Sequence, residues 1–385
     1  MNRFILLLLI ELMLFSFTTI AQKGPPIALQ WKIAGELPRA EGKAAMGIAG
    51  PVVGVHNNVL ILGGGANFPD GMPWDGGKKK YYDELYVFKK HGDSLIAIDK
   101  KFHLPIGLAY VANCSILQGI ICAGGENAEG LSNKVWQIQW DDKANDLVVK
   151  HLPDLPFAVT NASLTSIDNH IYFVGGEISK GVSNKFLRLD LDRLNEGWKE
   201  LPSLPKNISH AIMVVQSDGN NNGIYVMGGR KKNESAVSEL YPSVFQFDLL
   251  SNQWRERKPL PYALSAGTGL AIGEHSILLF GGDRGATFHK TEELIAAINA
   301  EKDESKKEQL IQRKKELQIS HPGFSKEVLL YNTLKNKWTA VGCIPYPVPA
   351  TTTAVLWDGN IIIPSGEIKA GIRTPQLLSA TIKGL

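Results

Sequence analysis

Residues 171–177 read Ile-Tyr-Phe-Val-Gly-Gly-Glu, an apolar run that predicts a buried strand, followed by two glycines and a carboxylate. The pattern recurs along the chain, and each copy places a pair of small residues at the end of a short apolar run. The six runs are residues 59–62, 120–123, 171–174, 224–227, 277–280 and 361–364. Six copies in register indicate a chain built from one repeated unit.

The spacing of the repeat predicts the architecture. The first small residues stand 51 to 61 positions apart, except for a last interval of 84 that contains an insertion at residues 290–320. A Leu-Pro or Ile-Pro pair leads into each unit, and a tryptophan closes several of them. A period of about fifty residues with four strands per unit is typical of kelch repeats. The sequence therefore predicts an all-β fold, in which residues 23–385 form a single six-bladed kelch-type β-propeller.

The ring is expected to close through the N-terminal strand. The last unit contains three predicted strands, at residues 351–356, 360–364 and 377–382. Residues 28–36, which precede Leu37-Pro38, have the character of the fourth strand of the other units. We therefore expect this strand to complete the last blade and to remove the exposed sheet edges.

The insertion at residues 290–320 has apolar residues at helical spacing, including Leu294, Ile298, Leu310 and Leu317. We expect a helical hairpin or a bent helix that projects from blade five. Two interpretations stay open, a lid over the mouth of a cavity and a decoration without function.

The composition argues against several classes of function. The chain carries 41 basic and 38 acidic residues and has no basic block interleaved with aromatic residues, so nucleic acid is not an expected partner. No His and Cys spacing matches a zinc site, and neither a Gly-x-Ser-x-Gly elbow nor a phosphate-binding Gly-x-x-x-x-Gly-Lys loop is present.

The N-terminal residues 1–22 predict a signal peptide. Asn2-Arg3 is followed by an apolar run at residues 4–17 and by small residues that end at Ala21. The alternative, a membrane anchor, is disfavoured because the run is shorter than the ~20 residues that span a bilayer. We expect an exported, periplasmic protein that has no membrane contact after cleavage.

The three cysteines are Cys114, Cys122 and Cys343. Cys114 and Cys122 fall on successive predicted strands. They are buried free thiols or, in an exported protein, a disulfide.

Polar residues follow the second strands of the blades, and all of them are expected to face the central channel. Carboxylates and arginines that converge from several blades predict a pocket for a polar, anionic small molecule. The substrate-binding candidates are Asn67, Glu126, Glu177, Arg230, Asp283 and Arg284. The segments after the Leu-Pro pairs add Arg39, Tyr110, Asn161, His210 and Ser265.

The last unit carries the strongest chemical signal. Its apolar strand ends in Ser365-Gly366-Glu367, and Arg373 follows after a short loop. A carboxylate at the exit of a buried strand and a guanidinium six positions later can reach one cavity. The pair suits an acid/base group beside an anchor for an anionic substrate. Glu367 and Arg373 are therefore the catalytic candidates.

The stretch from Ser365 to Thr374, the export signal, the six repeats and the helical insertion together resemble the bacterial N-acetylneuraminate epimerases, or sialic acid mutarotases. The corresponding family motif reads Asn-Gly-Glu-x-Lys-x-Gly-x-Arg-Thr, so Ser365 stands where the family has asparagine. In this family the Glu/Arg blade lies mid-chain, whereas here it is last, which resembles a cyclic permutation. The loop at residues 63–77 also resembles a family loop.

The resemblance implies an isomerase that interconverts the α and β anomers of N-acetylneuraminate in support of sialic acid uptake. Glu367 would be the proton acceptor and Arg373 its partner, with no cofactor. Two alternatives stay open, an isomerase of another acylated sugar and a non-catalytic propeller that binds carbohydrate or protein.

Overall fold

The apolar run of each repeat forms the second strand of a four-stranded antiparallel sheet. The computed structural model describes residues 27–39, 45–234 and 237–383, and within them six such sheets form the blades, of which the first gains two further short strands. The predicted signal peptide, residues 1–22, lies outside the described residues. The predicted six-bladed β-propeller is confirmed.

The blades follow one another in chain order, and β1 (Ala28–Glu36) precedes the first of them. Blade one contains β2 (Ala49–His56), β3 (Val59–Asn67), β4 (Lys80–Tyr81), β5 (Glu84–His91), β6 (Ser94–Ala97) and β7 (Phe102–His103). Blade two contains β8 (Ala112–Ile116), β9 (Gly119–Ala123), β10 (Glu126–Asn127), β11 (Gly130–Leu131), β12 (Val135–Asp141) and β13 (Asp146–Leu152). Blade three contains β14 (Ser163–Ile167), β15 (His170–Val174), β16 (Phe186–Asp190) and β17 (Lys199–Leu201).

The second half of the ring follows the same plan. Blade four contains β18 (Ile212–Ser217), β19 (Asn222–Met227), β20 (Arg230–Lys231), β21 (Glu239–Leu240), β22 (Val244–Asp248) and β23 (Gln253–Glu256). Blade five contains β24 (Ser265–Ile272), β25 (Ser276–Asp283), α1 (Ala286–Ala300), α2 (Glu304–Ile319), β26 (Glu327–Asn332) and β27 (Lys337–Cys343). Blade six contains β28 (Val355–Trp357), β29 (Asn360–Pro364), β30 (Glu367–Lys369), β31 (Ile372–Arg373) and β32 (Gln376–Lys383).

The ring closes where the sequence predicts. Strand β1 pairs antiparallel with β32 as the outer strand of blade six, and Trp31 packs edge-to-face on Phe280 of blade five with ring centroids 5.7 Å apart. The Leu37 amide donates to the Pro375 carbonyl at 2.9 Å, which continues the pairing beyond the strand. The N-terminal strand therefore confirms the predicted closure.

The glycine pairs allow successive blades to meet. In blade three, Gly175 and Gly176 have φ values of 72° and 95°, a region that L side chains rarely adopt. A Cβ on Gly175 would lie 2.3 Å from the carbonyl oxygen of Ile208, in the segment that leads into blade four. The Gly176 amide donates to that same oxygen at 2.8 Å, so the close approach forms a bond between blades.

A ring of six backbone hydrogen bonds surrounds the channel. One residue in each blade, just before or within its inner strand, has φ between 51° and 63°, and its N–H donates to the carbonyl of its counterpart in the preceding blade at 2.7 to 3.1 Å. The six residues are Gly50, Tyr110, Asn161, His210, Ala266 and Thr351. The bond from Gly50 to Thr351 joins blade one to blade six, so the ring is complete. Each left-handed non-glycine costs about 1–3 kcal/mol, which the repeated geometry of the ring offsets.

The two described helices form the hairpin predicted in blade five. Helix α1 begins at Ala286, four residues before the predicted insertion, and neither helix has a buried side chain. Glu292 accepts hydrogen bonds from the amide and hydroxyl of Ser238 in blade four, and Lys315 pairs with Asp75 in blade one. The hairpin therefore reaches across one face of the ring. Within the described residues, no helix combines the length and apolar character that a membrane span needs.

The cysteines are free thiols. Cys122 stands opposite Asn113 in the β8–β9 pair, so the side chain of Cys114, one residue on, points to the other face of the sheet. A disulfide between Cys114 and Cys122 is therefore excluded by the pairing. Burial raises the pKa of both thiols to about 12.

Candidate active site

One position per blade, directly after the small-residue pair, faces the centre of the ring. The residue at this position forms two backbone hydrogen bonds with the residue that precedes a member of the hydrogen-bonded ring. Glu126 pairs in this way with Ala109, and Glu367 with Ala350. In chain order, the six occupants are Ala66, Glu126, Glu177, Arg230, Asp283 and Glu367. Five charged side chains thus form a circle next to the hydrogen-bonded ring.

This circle and the helical hairpin enclose a cavity of about 420 Å³. Its floor includes ring residues such as Tyr110, Asn161 and His210, and its walls include Glu126, Glu177, Arg230, Asp283 and Glu367. This volume lies in the range of small-molecule sites, and a floor of polar groups under partly apolar walls is typical of them. Four of the six predicted substrate-binding residues therefore come together at one cavity.

The other two, Asn67 and Arg284, lie outside the lining of this cavity. Asn67 is buried and bonds to the Gly47 carbonyl and the Tyr82 hydroxyl, while Arg284 lies over the Tyr262 ring and pairs with Glu327. Each stands one residue beyond the cavity-facing position of its blade. Asn67, the last residue of β3, points to the face opposite that of Ala66, because alternate residues of a strand point to opposite faces. Arg284 lies just beyond β25, and its contacts to Tyr262 and Glu327 hold it outside the cavity.

Blade one contributes a lysine that the repeat does not predict. Ala66 has no charged group, and Lys79, from the loop before β4, lies in the cavity with Nζ 3.0 Å from Glu126 Oε1. The Tyr81 hydroxyl donates to the same oxygen at 2.7 Å. Although burial lowers the pKa of Lys79, the neighbouring Tyr110 and Glu126 raise it above its ordinary value overall. Lys79 therefore stays charged and holds Glu126.

Blades three and four share a charged cluster at the cavity floor. Arg230 Nη2 lies 3.3 Å from Glu177 Oε1 and 3.4 Å from His210 Nε2, and the guanidinium packs over the Phe288 ring of α1. Burial, with the Arg230 charge added, holds the pKa of His210 well below its ordinary value. The imidazole is therefore neutral near pH 7, and Arg230 is the cation that pairs with Glu177.

His210→Asn is expected to reduce the loss of stability on acidification. The pKa of His210 is lower in the folded than in the unfolded protein. Below about pH 6.5, the unfolded chain therefore binds a proton at His210 that the folded chain does not bind. The stability that comes from neutral His210 is complete above that pH. It decreases as the pH is lowered towards the pKa of His210 in the folded protein, by at most about 1.4 kcal/mol per pH unit for one group. Asparagine suits the left-handed backbone, since Asn161 holds the same place in blade three.

The measurement compares the melting temperatures of wild type and His210→Asn at two pH values, one on each side of the ordinary histidine pKa. Burial also lowers the pKa values of His56 and His321, so some acid sensitivity stays in the variant. An equal drop in both proteins would contradict the role assigned to His210.

Glu367 and Arg373 are paired directly across the β30–β31 ribbon. Glu367 Oε1 accepts a hydrogen bond from the Gly371 amide at 2.8 Å and lies 3.7 Å from Arg373 Nη2. The Arg373 side chain is 6% exposed and packs over the Phe68 ring, and its Nε and Nη1 have no partner among the described residues. The predicted catalytic pair therefore meets, with Glu367 in the cavity wall and Arg373 just behind it.

The serine in place of the family asparagine has a structural explanation. The Ser365 side chain is fully buried, and its Oγ accepts from the Ile48 amide at 2.9 Å and donates to the Thr374 carbonyl at 2.8 Å. It connects blade six to blade one and does not reach the cavity lining. Its contact therefore supports the ribbon that carries Glu367.

The helical hairpin supplies cavity residues that the repeat pattern does not reveal. Phe288 and Thr291 come from α1, while Gln318, His321 and Phe324 come from the end of α2 and the segment after it. The hairpin is thus a wall of the cavity. Among the described residues, no group of three or more His, Cys, Asp or Glu side chains is placed to hold a metal ion.

Comparison with known proteins agrees with this geometry. The family model described as N-acetylneuraminate epimerase matches residues 152–384, more than half of the chain. The chain belongs to the N-acetylneuraminate epimerase family. The matched region contains Glu367, Arg373 and the helical hairpin, whereas blade one and nearly all of blade two precede it.

Curated members of the N-acetylneuraminate epimerase family match over a similar extent. The N-acetylneuraminate epimerase of Yersinia enterocolitica is 28% identical over 235 residues, and that of Salmonella typhimurium is 29% identical over 231 residues. In both cases the alignment covers 60% of this chain and 58% of the relative. The chain thus matches less than two thirds of the length of these relatives.

Proposed function

We propose that this protein interconverts the α and β anomers of N-acetylneuraminate by opening and reclosing the sugar ring. The observation that carries the proposal is the pairing of Glu367, in the wall of a cavity with polar and apolar lining, with Arg373, on the ribbon that the family match includes. A base and an anion-binding group next to each other are what this sugar requires, because its anomeric hydroxyl and its carboxylate share one carbon.

Glu367 is the proposed base. It takes the proton of the anomeric hydroxyl, the carbonyl forms, and the bond from the anomeric carbon to the ring oxygen breaks with its electron pair on that oxygen. Since both oxygens were bonded to the same carbon, the same carboxylic acid can return the proton to the former ring oxygen. Rotation of the open keto form followed by the reverse sequence gives the other anomer. The Gly371 amide, bonded to Oε1, fixes the carboxylate for this transfer.

Arg373 is the proposed anchor of the substrate carboxylate. Its Nε and Nη1 have no partner among the described residues, although the side chain is almost completely buried. An unsatisfied buried donor is costly, and a carboxylate bound across the Nη1 and Nη2 edge of the guanidinium would satisfy Nη1 while sharing Nη2 with Glu367. Arg230 also has a buried Nε without a partner among the described residues, but its Nη2 already contacts both Glu177 and His210. Arg373 therefore has one more unpartnered nitrogen for a new anion than Arg230 has.

The proposal places the reaction outside the cytoplasm, in support of sialic acid uptake. Its support is the signal-like sequence of residues 1–22. An anomer interconversion that needs no soluble cofactor suits such a compartment.

The test is exchange NMR between the anomers of N-acetylneuraminate. Wild type is expected to accelerate the exchange, and Arg373→Lys to lose about 10²-fold in kcat/KM, because an ammonium cannot reproduce the bidentate fork that orients the anomeric centre. Arg230→Lys is the matched control and is expected to lose far less. No acceleration by folded wild type would refute the function, while near-normal turnover of Arg373→Lys would refute only the anchor.

A further inference from the structure

One polar group in the cavity has no part in the proton transfer by Glu367 or the anchoring by Arg373. His321 lies just beyond α2, is buried, and lines the cavity together with Asp283 and Glu367. A buried histidine is often a satisfied structural residue, so its two ring nitrogens decide between a structural and a chemical role.

The two nitrogens have different surroundings. The Gly323 amide donates a hydrogen bond to Nδ1 at 2.9 Å, which fixes that nitrogen as an acceptor. The ring proton is therefore on Nε2, and Nε2 has no hydrogen-bond partner among the described residues. The ring also packs against Phe324 with centroids 5.2 Å apart, so its orientation is held from two sides. His321 thus presents one oriented N–H donor.

The charge state of His321 agrees with this assignment. Burial lowers the pKa of His321 below its ordinary value, and Lys369 lowers it further, while Asp283 and Glu367 raise it by less. The ring is therefore neutral near pH 7. A neutral imidazole can act as an electrophilic hydrogen-bond donor to an oxygen that gains negative charge, without being a proton acid.

We propose that Nε2–H of His321 donates a hydrogen bond to the ring oxygen of the sugar as the bond to the anomeric carbon breaks. The inference rests on the proposed function. In the step, Glu367 takes the hydroxyl proton, the carbonyl forms, and the electron pair of the broken bond collects on the ring oxygen. His321 stabilises that charge until Glu367 returns the proton. The imidazole keeps its own proton throughout, so the step balances without another reactant.

The segment that follows the hairpin thus gains a chemical role. His321 and Glu367 come from blades five and six and line the same cavity. The hydrogen bond from His321 Nε2–H to the ring oxygen would become stronger only in the transition state. Removal of this donor is therefore expected to lower kcat with little change in KM.

A pair of substitutions separates this role from a purely structural one. In His321→Gln, the side-chain amide nitrogen can take the place of Nε2 and still donate into the cavity. In His321→Asn, the side-chain oxygen can take the place of Nδ1 and still accept from Gly323, but no donor reaches the former Nε2 position. His289→Asn, on α1 and outside the cavity lining, controls for the loss of an imidazole from the hairpin.

The experiment measures kcat and KM for anomer exchange by NMR, with a melting curve for each protein. We expect His321→Asn to lose about 10²-fold in kcat, and His321→Gln to keep wild-type activity within a few-fold. A structural role would give the opposite order, with Asn near wild type and Gln impaired, and would overturn the inference. Equal activity of wild type and both variants would also overturn it. If wild type itself failed to accelerate exchange, the proposed function would fail and the inference with it.

Discussion

Glu367→Gln is expected to slow anomer interconversion by about 10²- to 10⁴-fold, the range typical of removing a general base. The substitution keeps the size of the side chain, and the amide oxygen can still accept the hydrogen bond from the Gly371 amide. Because the Arg373 side chain is only 6% exposed, removal of the negative charge 3.7 Å from its Nη2 also lowers the stability. The readout is the exchange rate at saturating sugar, with the melting temperature as a check of folding.

The matched control is Glu126→Gln, which removes a carboxylate from the same position in blade two. Glu126 is bound by Lys79 and Tyr81, so its oxygen is less available as a base. We expect it to affect sugar binding more than kcat. A larger loss of kcat in Glu126→Gln than in Glu367→Gln would place the base in blade two and overturn the assignment.

Deletion of residues 28–36 is expected to destabilise the whole propeller by an amount on the order of 5 kcal/mol, since burying each large apolar side chain contributes about 1.5–3 kcal/mol. The deleted strand contains Leu29 and Trp31, which pack against the core between blades five and six. Its removal also leaves β32 as an exposed edge, which favours aggregation. Thermal unfolding and size-exclusion chromatography measure the two effects.

The control removes a larger segment that contributes less to the core. Replacing residues 287–319 with a short Gly-Ser linker deletes most of the hairpin, whose helices have no buried side chain. The chain on both sides already meets, because the Ser325 amide donates to the Gly282 carbonyl at 2.9 Å. We expect nearly normal melting but strongly reduced activity, since one wall of the cavity is lost. If both deletions melted alike, β1 would contribute no more to stability than the hairpin, contrary to this expectation.

The repeat was sufficient to predict the blades, the closing strand and the position of Glu367, because all three follow from positions that recur in register. Arg373 has no counterpart in the other units and was assigned from its place six residues after Glu367. The repeat did not predict which residue of blade one faces the cavity. Three consecutive glycines at residues 63–65 contain two possible pairs, and the positive φ values select Gly64 and Gly65. The cavity-facing position is consequently Ala66, and Asn67 points away from the cavity.

The cavity residues that lie outside the repeated positions could not be predicted. Lys79 occupies no recurring position, and the pattern of the hairpin indicated helices without indicating which side of the ring they cover. His321 and Phe324 lie in the segment that returns from α2 to the sheet, where no periodicity applies. These residues are located by contacts between blades, which a pattern along one chain does not contain.

The hydrogen-bonded ring around the channel affects how the order of blades in the gene of such a propeller can evolve. Its bond between Gly50 and Thr351 has the same geometry as the bonds between blades that are consecutive in the chain. A tandem duplication of the gene, followed by loss of codons from both ends, would therefore encode an equivalent ring that starts at a different blade. The order of blades along the gene is free to drift, while the order around the channel is preserved.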